Sequence, residues 1–163
     1  MNAAAAPGLG FLFRHPAHFI ALGFGAGLAP AAPGTFGTLV AIPIAILLRA
    51  QFSEVVFVAV ILVYAVVGAW AAQIAGRDLD AADHGAIVCD EIVAFLLVLY
   101  FVGDDPVRVA LAFVVFRLFD ILKPPPIRQL DAALKNGVGV MVDDLLAAAY
   151  TLVVLALFQR AFG

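Results

Sequence analysis

The chain has 163 residues, of which 65% are hydrophobic and 13% are charged, and its net charge is −3. Soluble domains carry about 25% charged residues, so this composition is that of an integral membrane protein. The sequence has no basic stripe, so we expect no nucleic acid among its partners. The single cysteine excludes an internal disulfide and a multi-cysteine metal site. The length suits one domain of roughly four or five spans, because each span needs about 20 residues.

The first third of the chain is apolar, but glycine and proline interrupt it. These residues recur between positions 23 and 37 and argue against an uninterrupted helix there. We therefore predict an apolar lead-in at 18–28, a loop at 30–38 and a helix at about 36–49. Irregular backbone at membrane depth is tolerated only where it is buried in protein or lines a polar cavity.

The remainder of the chain predicts further helices separated by short polar or proline-rich turns. They lie at 54–76, 84–103, 106–122, 127–137 (a short interfacial piece) and 138–160. The predicted fold class is all-α, a compact helical transmembrane bundle with about four main spans plus a broken or re-entrant N-terminal segment. Residues 1–15 are expected to form a flexible tail, and residues 16–163 a single helical membrane domain.

The acidic residues concentrate on one side of the predicted membrane. Successive spans cross in alternate directions, so the loop at 77–83 shares its side with the starts of the helices at 36, 84 and 138. We call this side the near face. More Lys and Arg flank it than the other side, which makes it cytoplasmic by the positive-inside rule. Its candidate functional residues are Gly34, Thr35, Thr38, Asp83, His84, Asp90, Glu91, Arg117, Asp120, Lys123, Asp143 and Asp144.

The carboxylates of this set predict a metal site. Carboxylates gathered so closely cannot all stay ionised unless a cation lies between them. Clustered oxygen ligands suit Mg²⁺, which binds one or two carboxylates together with substrate phosphate oxygens. We assign Asp90, Glu91, Asp143 and Asp144 to one or two Mg²⁺ ions.

Cations and a helix start supply the other half of the predicted site. Arg117 suits phosphate as a bidentate fork and Lys123 as a point charge. Gly34, Thr35 and Thr38 lie where a loop enters a helix, and the free amides of a helix start bind anions. A metal beside a phosphate site indicates metal-assisted phosphomonoester hydrolysis, because a bound metal activates water and neutralises a leaving phosphate.

Three further near-face residues, Asp83, His84 and Asp120, are assigned to catalysis, the last two as candidates for proton transfer. A covalent aspartyl-phosphate route stays open beside direct attack by water. Each residue also has a structural explanation, since acids often cap helix starts and Arg117 with Asp120 suits a simple ion pair. Their convergence at one face favours the functional interpretation.

Two other motifs carry less weight. A cysteine phosphatase needs the pattern C-x5-R, but Phe95 stands where Cys89 would require an arginine, so we expect this thiol to be inert packing. The D-x-D pattern at 78–80 lacks a preceding apolar strand and is expected to be a surface loop.

The alternative function is a small cation-binding membrane transporter or channel that uses the buried acidic cluster. An ion path should carry acids at several depths, whereas these acids lie at one end of the predicted bundle.

Four blocks follow one another across most of the chain: GFGAGLAPAAPGTFGT (23–38), DHGAIVCDE (83–91), FRLFDILKPPPIRQLD (116–131) and NGVGVMVDD (136–144). Together they resemble the phosphatidylglycerophosphatase A family. The resemblance implies an all-helical, Mg²⁺-dependent membrane phosphatase that converts phosphatidylglycerophosphate to phosphatidylglycerol and phosphate. It also implies a multi-pass protein of the bacterial cytoplasmic (inner) membrane whose active site faces the cytoplasm. Cys89 departs from the family's pattern, in which an aromatic residue typically precedes the acid pair.

Overall fold

Helices make up most of the computed structural model, which describes residues 7–134 and 136–162. No strand occurs among these described residues, so the predicted all-α class is confirmed. The elements in chain order are α1 Leu9–Leu12, α2 Pro16–Ala21, a 3-10 helix Gly23–Leu28, α3 Pro33–Gln51, α4 Glu54–Asp78, α5 Cys89–Val102, α6 Pro106–Leu122, α7 Ile127–Ala133 and α8 Gly137–Phe162.

Three of the described helices are long and apolar enough to cross a membrane, judged by length and composition. They are Pro33–Gln51, Glu54–Asp78 and, within α8, Gly137–Ala161. The helices α5 and α6 are shorter, with 14 and 17 residues. Because α5 packs against α3, α4, α6 and α8, the short helix is the centre of a bundle whose longer helices surround it.

The core forms around α5 because its sequence is apolar on every side. Ile92, Phe95, Leu96 and Leu99 are at most 2% exposed. A helix that is hydrophobic all round is stable only when other elements cover it. Phe95 illustrates this packing, since its ring lies 5.4 Å from the ring of Phe116 on α6.

The start of α5 differs from the prediction, which began this helix at residue 84. Residues 79–88 instead form turns and irregular backbone because they pack on the N-terminal segment. Val88 N–H donates to the Ala21 carbonyl at 2.9 Å, and the Ala86 carbonyl lies against Gly27, where a Cβ would overlap it. These tertiary contacts replace the helical hydrogen bonds that local sequence would favour.

The start of α3 also differs, since the predicted loop at 30–38 ends earlier. Pro33 occupies the first turn of α3 and Ala32 precedes it with a left-handed φ of 48°. Proline suits this position because its missing N–H would be unpaired there anyway. Thr35 and Thr38 therefore lie within the helix rather than before it.

The segment before α3 is helical and packed against α4. Residues 9–12 of the predicted tail form α1, whose Leu12 is buried, while residues 1–6 lie outside the described residues. His18 of α2 is fully buried and donates from Nδ1 to the Phe11 carbonyl at 2.9 Å. Its Nε2 lies 2.7 Å from Asp78 Oδ2, so this aspartate ties the N-terminal segment to the end of α4.

Contacts at the two ends of the bundle confirm the predicted alternation of helices. At the near face, Glu91 at the start of α5 lies beside Gly34 at the start of α3 and Arg117 near the end of α6. At the opposite face, Arg49 near the end of α3 reaches the Leu99 carbonyl near the end of α5.

Arg49 closes the far end of α5. Its Nη2 donates to the carbonyls of Leu99 and Tyr100, and its Nε lies 2.8 Å from Asp104 Oδ1. The guanidinium also lies 5.4 Å from the centre of the Phe57 ring on α4. One side chain therefore joins α3, α4 and the last carbonyls of α5, which a helix end leaves without intrahelical partners.

Replacing Arg49 should destabilise the bundle. We expect Arg49→Met to lower the free energy of unfolding by about 2 kcal/mol, because buried carbonyls lose a charged donor. Thermal unfolding of the purified protein in detergent micelles measures the effect. Asp104→Asn is the control and should cost less than about 1 kcal/mol, since the Asp104 side chain is 57% exposed. Equal transition temperatures for wild type and Arg49→Met would contradict a stabilising role.

Candidate active site

Three carboxylates from two helices meet at the near face. Asp90 and Glu91 lie in the first turn of α5, and Asp144 projects from α8. Each offers one oxygen, and the three oxygens lie within 4.8 Å of one another. The packing of α5 against α8 brings them together, so the cluster is a consequence of helix packing and not of sequence proximity alone.

These carboxylates are buried and incompletely paired. Asp90 is 6% exposed and Asp144 is 3% exposed. Within the described part of the chain, Asp90 Oδ1, Glu91 Oε2 and Asp144 Oδ2 are buried without a hydrogen-bond partner. Because burying an unpaired carboxylate is costly, the arrangement requires a positive charge or protons. Three converging oxygen ligands fit a divalent cation.

Arg117 borders the cluster and links three helices. Its guanidinium on α6 donates to Asp120 Oδ2 on the same helix, and its Nη1 lies 3.8 Å from Glu91 Oε1 on α5. It also reaches Thr38 Oγ1 on α3 at 3.5 Å. Its side chain is only 14% exposed, so this cation lies at the edge of the carboxylate cluster and largely out of water.

Gly34 allows this close approach. A Cβ at Gly34 would overlap Glu91 Oε1 and lie 3.1 Å from Arg117 Nη1. Thr38 is fully buried and donates to the Gly34 carbonyl at 2.9 Å. The glycine of the first turn of α3 therefore contacts both the carboxylate and the cation.

The start of α3 offers fewer anion-binding amides than the sequence suggested. The N–H groups of Thr35 and Phe36 both donate to the Ala32 carbonyl, at 2.9 Å and 3.4 Å. The Thr35 amide, a donor of the predicted phosphate site, and the Phe36 amide beside it are therefore bonded within the turn itself. The assignment of Thr35 to phosphate binding stays a prediction, as do those of Gly34 and Thr38. Gly34 contacts Glu91 and Arg117, and Thr38 contacts Arg117.

Asp143 and Lys123 form a separate pair beside the cluster. The Lys123 ammonium donates to Asp143 Oδ2, and their side chains are 25% and 5% exposed. Lys123 ends α6 with a left-handed φ of 43°, which turns its side chain towards α8. The three-oxygen set excludes Asp143, so its assignment as a metal ligand stays a prediction to which the structure adds a lysine partner.

Asp83 and His84 lie in the loop before α5. Asp83 is exposed and His84 is partly buried. His84 Nδ1 accepts a hydrogen bond from the Ala86 amide at 3.2 Å, which leaves Nε2 to carry the proton of the neutral ring. The three-carboxylate set does not include Asp83, and its catalytic assignment remains a prediction.

The chain matches one family model over residues 19–159, the model described as phosphatidylglycerophosphatase A. This match covers well over half of the chain. The chain belongs to the phosphatidylglycerophosphatase A family. The resemblance drawn from the four sequence blocks is thereby confirmed, and with it the prediction of a phosphatase.

Curated relatives cover most of the same length. The phosphatidylglycerophosphatase A of Haemophilus influenzae is 38% identical over 146 residues, which are 89% of this chain and 90% of the relative. That of Escherichia coli is 37% identical over 134 residues, or 82% and 77% of the two chains. A Bacteroides thetaiotaomicron protein, provisionally named a phosphatidylinositol-3-phosphatase, is 36% identical over 154 residues, or 88% and 94%. No solved structure matches the chain.

The sequence predicted a grouping at the near face that the structure also has, with Asp90, Glu91 and Asp144 beside Arg117, but it did not indicate what positions these side chains. It did not anticipate that Gly34 contacts Glu91 and Arg117 directly, nor that Arg117 extends to Thr38. The available signal was the spacing of Gly34 and Thr38, which puts both on one face of a helix once that helix is known to start at Pro33. Because the start of α3 was predicted too late, this face was not recognised.

The carboxylate cluster should bind Mg²⁺. We expect Mg²⁺ to raise the transition temperature of the wild-type phosphatase in detergent, because a ligand that binds only the folded state stabilises it. Asp90→Asn and Asp144→Asn should each remove most of this rise. Without metal, both variants should unfold at or above the wild-type temperature, because losing one of three adjacent carboxylates relieves repulsion.

The control for charge alone is Asp105→Asn. Asp105 accepts the Arg108 amide at 2.8 Å at the start of α6, a role that asparagine also fills, so its Mg²⁺ response should equal that of wild type. A full Mg²⁺ response in both Asp90→Asn and Asp144→Asn would show that the cation binds elsewhere.

Gly34→Ala should disturb the site through its Cβ. We expect it to displace Glu91 or Arg117, to lower stability by about 1–3 kcal/mol as overpacking does, and to reduce the Mg²⁺-induced rise in transition temperature. Gly85→Ala is the matched control, because nothing lies within 4 Å of a Cβ at Gly85. Indistinguishable unfolding and Mg²⁺ response in the two alanine variants would refute the close packing at Gly34.

Proposed function

We propose that this protein is a Mg²⁺-dependent phosphatase that hydrolyses the terminal phosphomonoester of phosphatidylglycerophosphate to phosphatidylglycerol and phosphate. The observation that carries the proposal is the convergence of three carboxylates beside Arg117, each of which has one buried oxygen without a hydrogen-bond partner. Membership of the phosphatidylglycerophosphatase A family supports the substrate, as do the names of the Haemophilus influenzae and Escherichia coli relatives.

The choice of Mg²⁺ follows from the donor set. Asp90, Glu91 and Asp144 offer oxygen ligands alone, and Mg²⁺ prefers oxygen and retains waters beside a few carboxylates. When bound, a divalent cation neutralises phosphate charge and makes a coordinated water more acidic. Asp90, Glu91 and Asp144 would hold the cation largely out of water, where its attraction to a phosphate is stronger.

Arg117 and Lys123 are proposed to hold the substrate phosphate. In the free protein both cations are paired with carboxylates, Arg117 with Asp120 and Lys123 with Asp143. These partners keep the cations oriented at the edge of the cluster before substrate binds. The guanidinium retains further donors for a phosphate, because its five N–H groups exceed what Asp120 accepts.

Proton transfer is assigned to Asp120 and His84. Asp120 is next to Arg117 and is proposed to accept a proton from the attacking nucleophile. Asp120 is proposed to pass this proton on to the leaving oxygen, and His84 to assist by a hydrogen bond from Nε2–H, which carries the ring proton because Nδ1 accepts the Ala86 amide. Asp83, which is exposed on the same loop as His84, is proposed to assist catalysis from the side of the site that faces solvent.

The membrane setting also supports a lipid substrate. Gly34, Glu91 and Arg117 meet at the near ends of their helices, the depth at which a lipid headgroup would lie. We propose that this face is cytoplasmic, in the inner membrane of a bacterium, from the excess of Lys and Arg flanking it.

The activity test uses the purified protein and phosphatidylglycerophosphate in mixed micelles. We expect phosphate release that requires Mg²⁺ and stops on chelation. Asp90→Asn and Asp144→Asn should each lower kcat by about 10²–10³-fold, the usual effect of removing one electrostatic group from a reaction centre. Arg117→Lys should raise KM more than it lowers kcat, because lysine keeps the charge but loses the bidentate fork.

The control is Arg108→Lys, at the far end of α6, which should leave all constants unchanged. Full activity in both Asp90→Asn and Asp144→Asn would show that the reaction does not use this cluster. Mg²⁺-dependent ion flux in liposomes without phosphate release would instead support the transporter alternative.

A further inference from the structure

An apolar groove runs along the outside of the bundle between α3 and α6. Both helices pack on α5 but make little contact with each other, so a furrow of about 440 Å³ remains between them. Leu39, Ile42 and Ile46 form the α3 wall, and Ala110 and Val114 are part of the α6 wall.

The groove has an apolar floor and a different charge at each end. Leu99 of α5 lies at the floor, and the turn of Gly103, Asp104 and Pro106 borders the end at the far face. The small side chains of Ala45 and Ala110 lie along its middle. The far end therefore carries the Asp104 carboxylate, whose Oδ1 lies 2.8 Å from Arg49 Nε, whereas the near end approaches Arg117.

The near end of the groove leads directly to the candidate active site. Arg117 follows Val114 by about one turn of α6, and Thr38 immediately precedes Leu39 on α3. Arg117 Nη1 reaches Thr38 Oγ1 at 3.5 Å, so the two walls meet at the cation that borders the carboxylate cluster. A molecule held by Arg117 would lie at the mouth of the furrow.

The groove is long enough to hold an acyl chain. Eleven residues separate Pro106 from Arg117, which corresponds to about 16 Å along a helix. Pro106 begins α6 at the far face, so the groove follows the helix from near Arg117 to the far-face turn. A lipid whose phosphate lies at Arg117 would therefore find apolar walls along its chain.

Three other apolar grooves of the described structure lack this connection. One lined by Ile44, Val60 and Leu96 carries no charged residue, and one between α4 and α8 carries only Gln73 as a polar residue. A third lies at the far ends of α6 and α8, beside Arg108. Among these grooves, only that between α3 and α6 adjoins a cation at the near face.

We propose that a phosphomonoester glycerolipid reaches the site laterally between α3 and α6, with its phosphate at Arg117 and one acyl chain in this groove. The inference rests on the proposed function for the identity of the headgroup. The positive charge of Arg117 would bind the phosphate, and the apolar walls of the groove would bind the acyl chain. The groove thereby determines how well long-chain substrates bind, whereas the chemistry stays with the carboxylates.

The test places a large side chain in the groove from its α6 wall. In Ala110→Phe a large side chain occupies the furrow, and we expect kcat/KM for dioleoyl phosphatidylglycerophosphate to fall about tenfold, in the range that lost apolar contacts produce. The dihexanoyl substrate, whose chains do not reach Ala110, should keep its kcat/KM. The matched control is Ala156→Phe, which fills the groove at the far ends of α6 and α8 and should alter neither substrate.

A second variant and a second measurement separate the possible failures. Ile46→Trp fills the groove from α3 and should reproduce the chain-length selectivity of Ala110→Phe. Unchanged hydrolysis of the dioleoyl substrate, or an equal loss for both substrates in both variants, would overturn the proposal that the groove binds an acyl chain.

If wild type hydrolyses neither substrate, the proposed function fails. The groove is then tested by photolabelling with phosphatidic acid that carries a diazirine in the middle of its chain. Labelling of 39–46 and 109–114 that Ala110→Phe abolishes and Ala156→Phe preserves would support it, and labelling unaffected by Ala110→Phe would overturn it.

Discussion

Mutual repulsion among buried carboxylates is the constraint on which the site depends. Asp90, Glu91 and Asp144 bring oxygens within 4.8 Å of one another, a spacing at which like charges interact strongly in a low dielectric. Arg117 offsets only part of this charge, because its guanidinium also serves Asp120. The fold therefore holds together groups that would separate if α5 and α8 were free, and a divalent cation would complement their charge.

The two ends of α5 supply the rigidity that such a cluster needs. At the near end, Val88 fills space left by Gly23 and Gly37, where a Cβ would come within 2.7 Å and 2.8 Å of its side chain. At the far end, Arg49 holds the last carbonyls. Because the helix between these anchors is apolar on every side, sliding or rotating it would disturb packing against four neighbours at once. Gly23, Gly34 and Gly37 are therefore positions of close approach to the start of α5.

The alternation of spans made the fold and the grouping of the site predictable from sequence. Acid doublets, Arg117 and Lys123 come to one face whatever the detailed packing. Local sequence could not locate the start of α5, because contacts of Val88 and Ala86 with the N-terminal segment override helix formation there. It also could not distinguish Asp143 from Asp144, adjacent on one helix, since a lysine at the end of α6 contacts the first and the carboxylate cluster includes the second.

The placement of charge within α5 argues for hydrolysis at a membrane face over transport through the membrane. After Glu91, the helix continues with apolar residues from Ile92 to Leu99, and this stretch is the buried centre of the bundle. A cation bound at Asp90 therefore meets no second ligand along α5 on the way to the far face, where a dehydrated ion would have a high energy. In the proposed reaction a lipid phosphate meets no such barrier, because the headgroup would lie at the depth of Arg117 and the chains would stay in apolar surroundings. The short apolar helix at the centre of the bundle therefore favours chemistry at one membrane face.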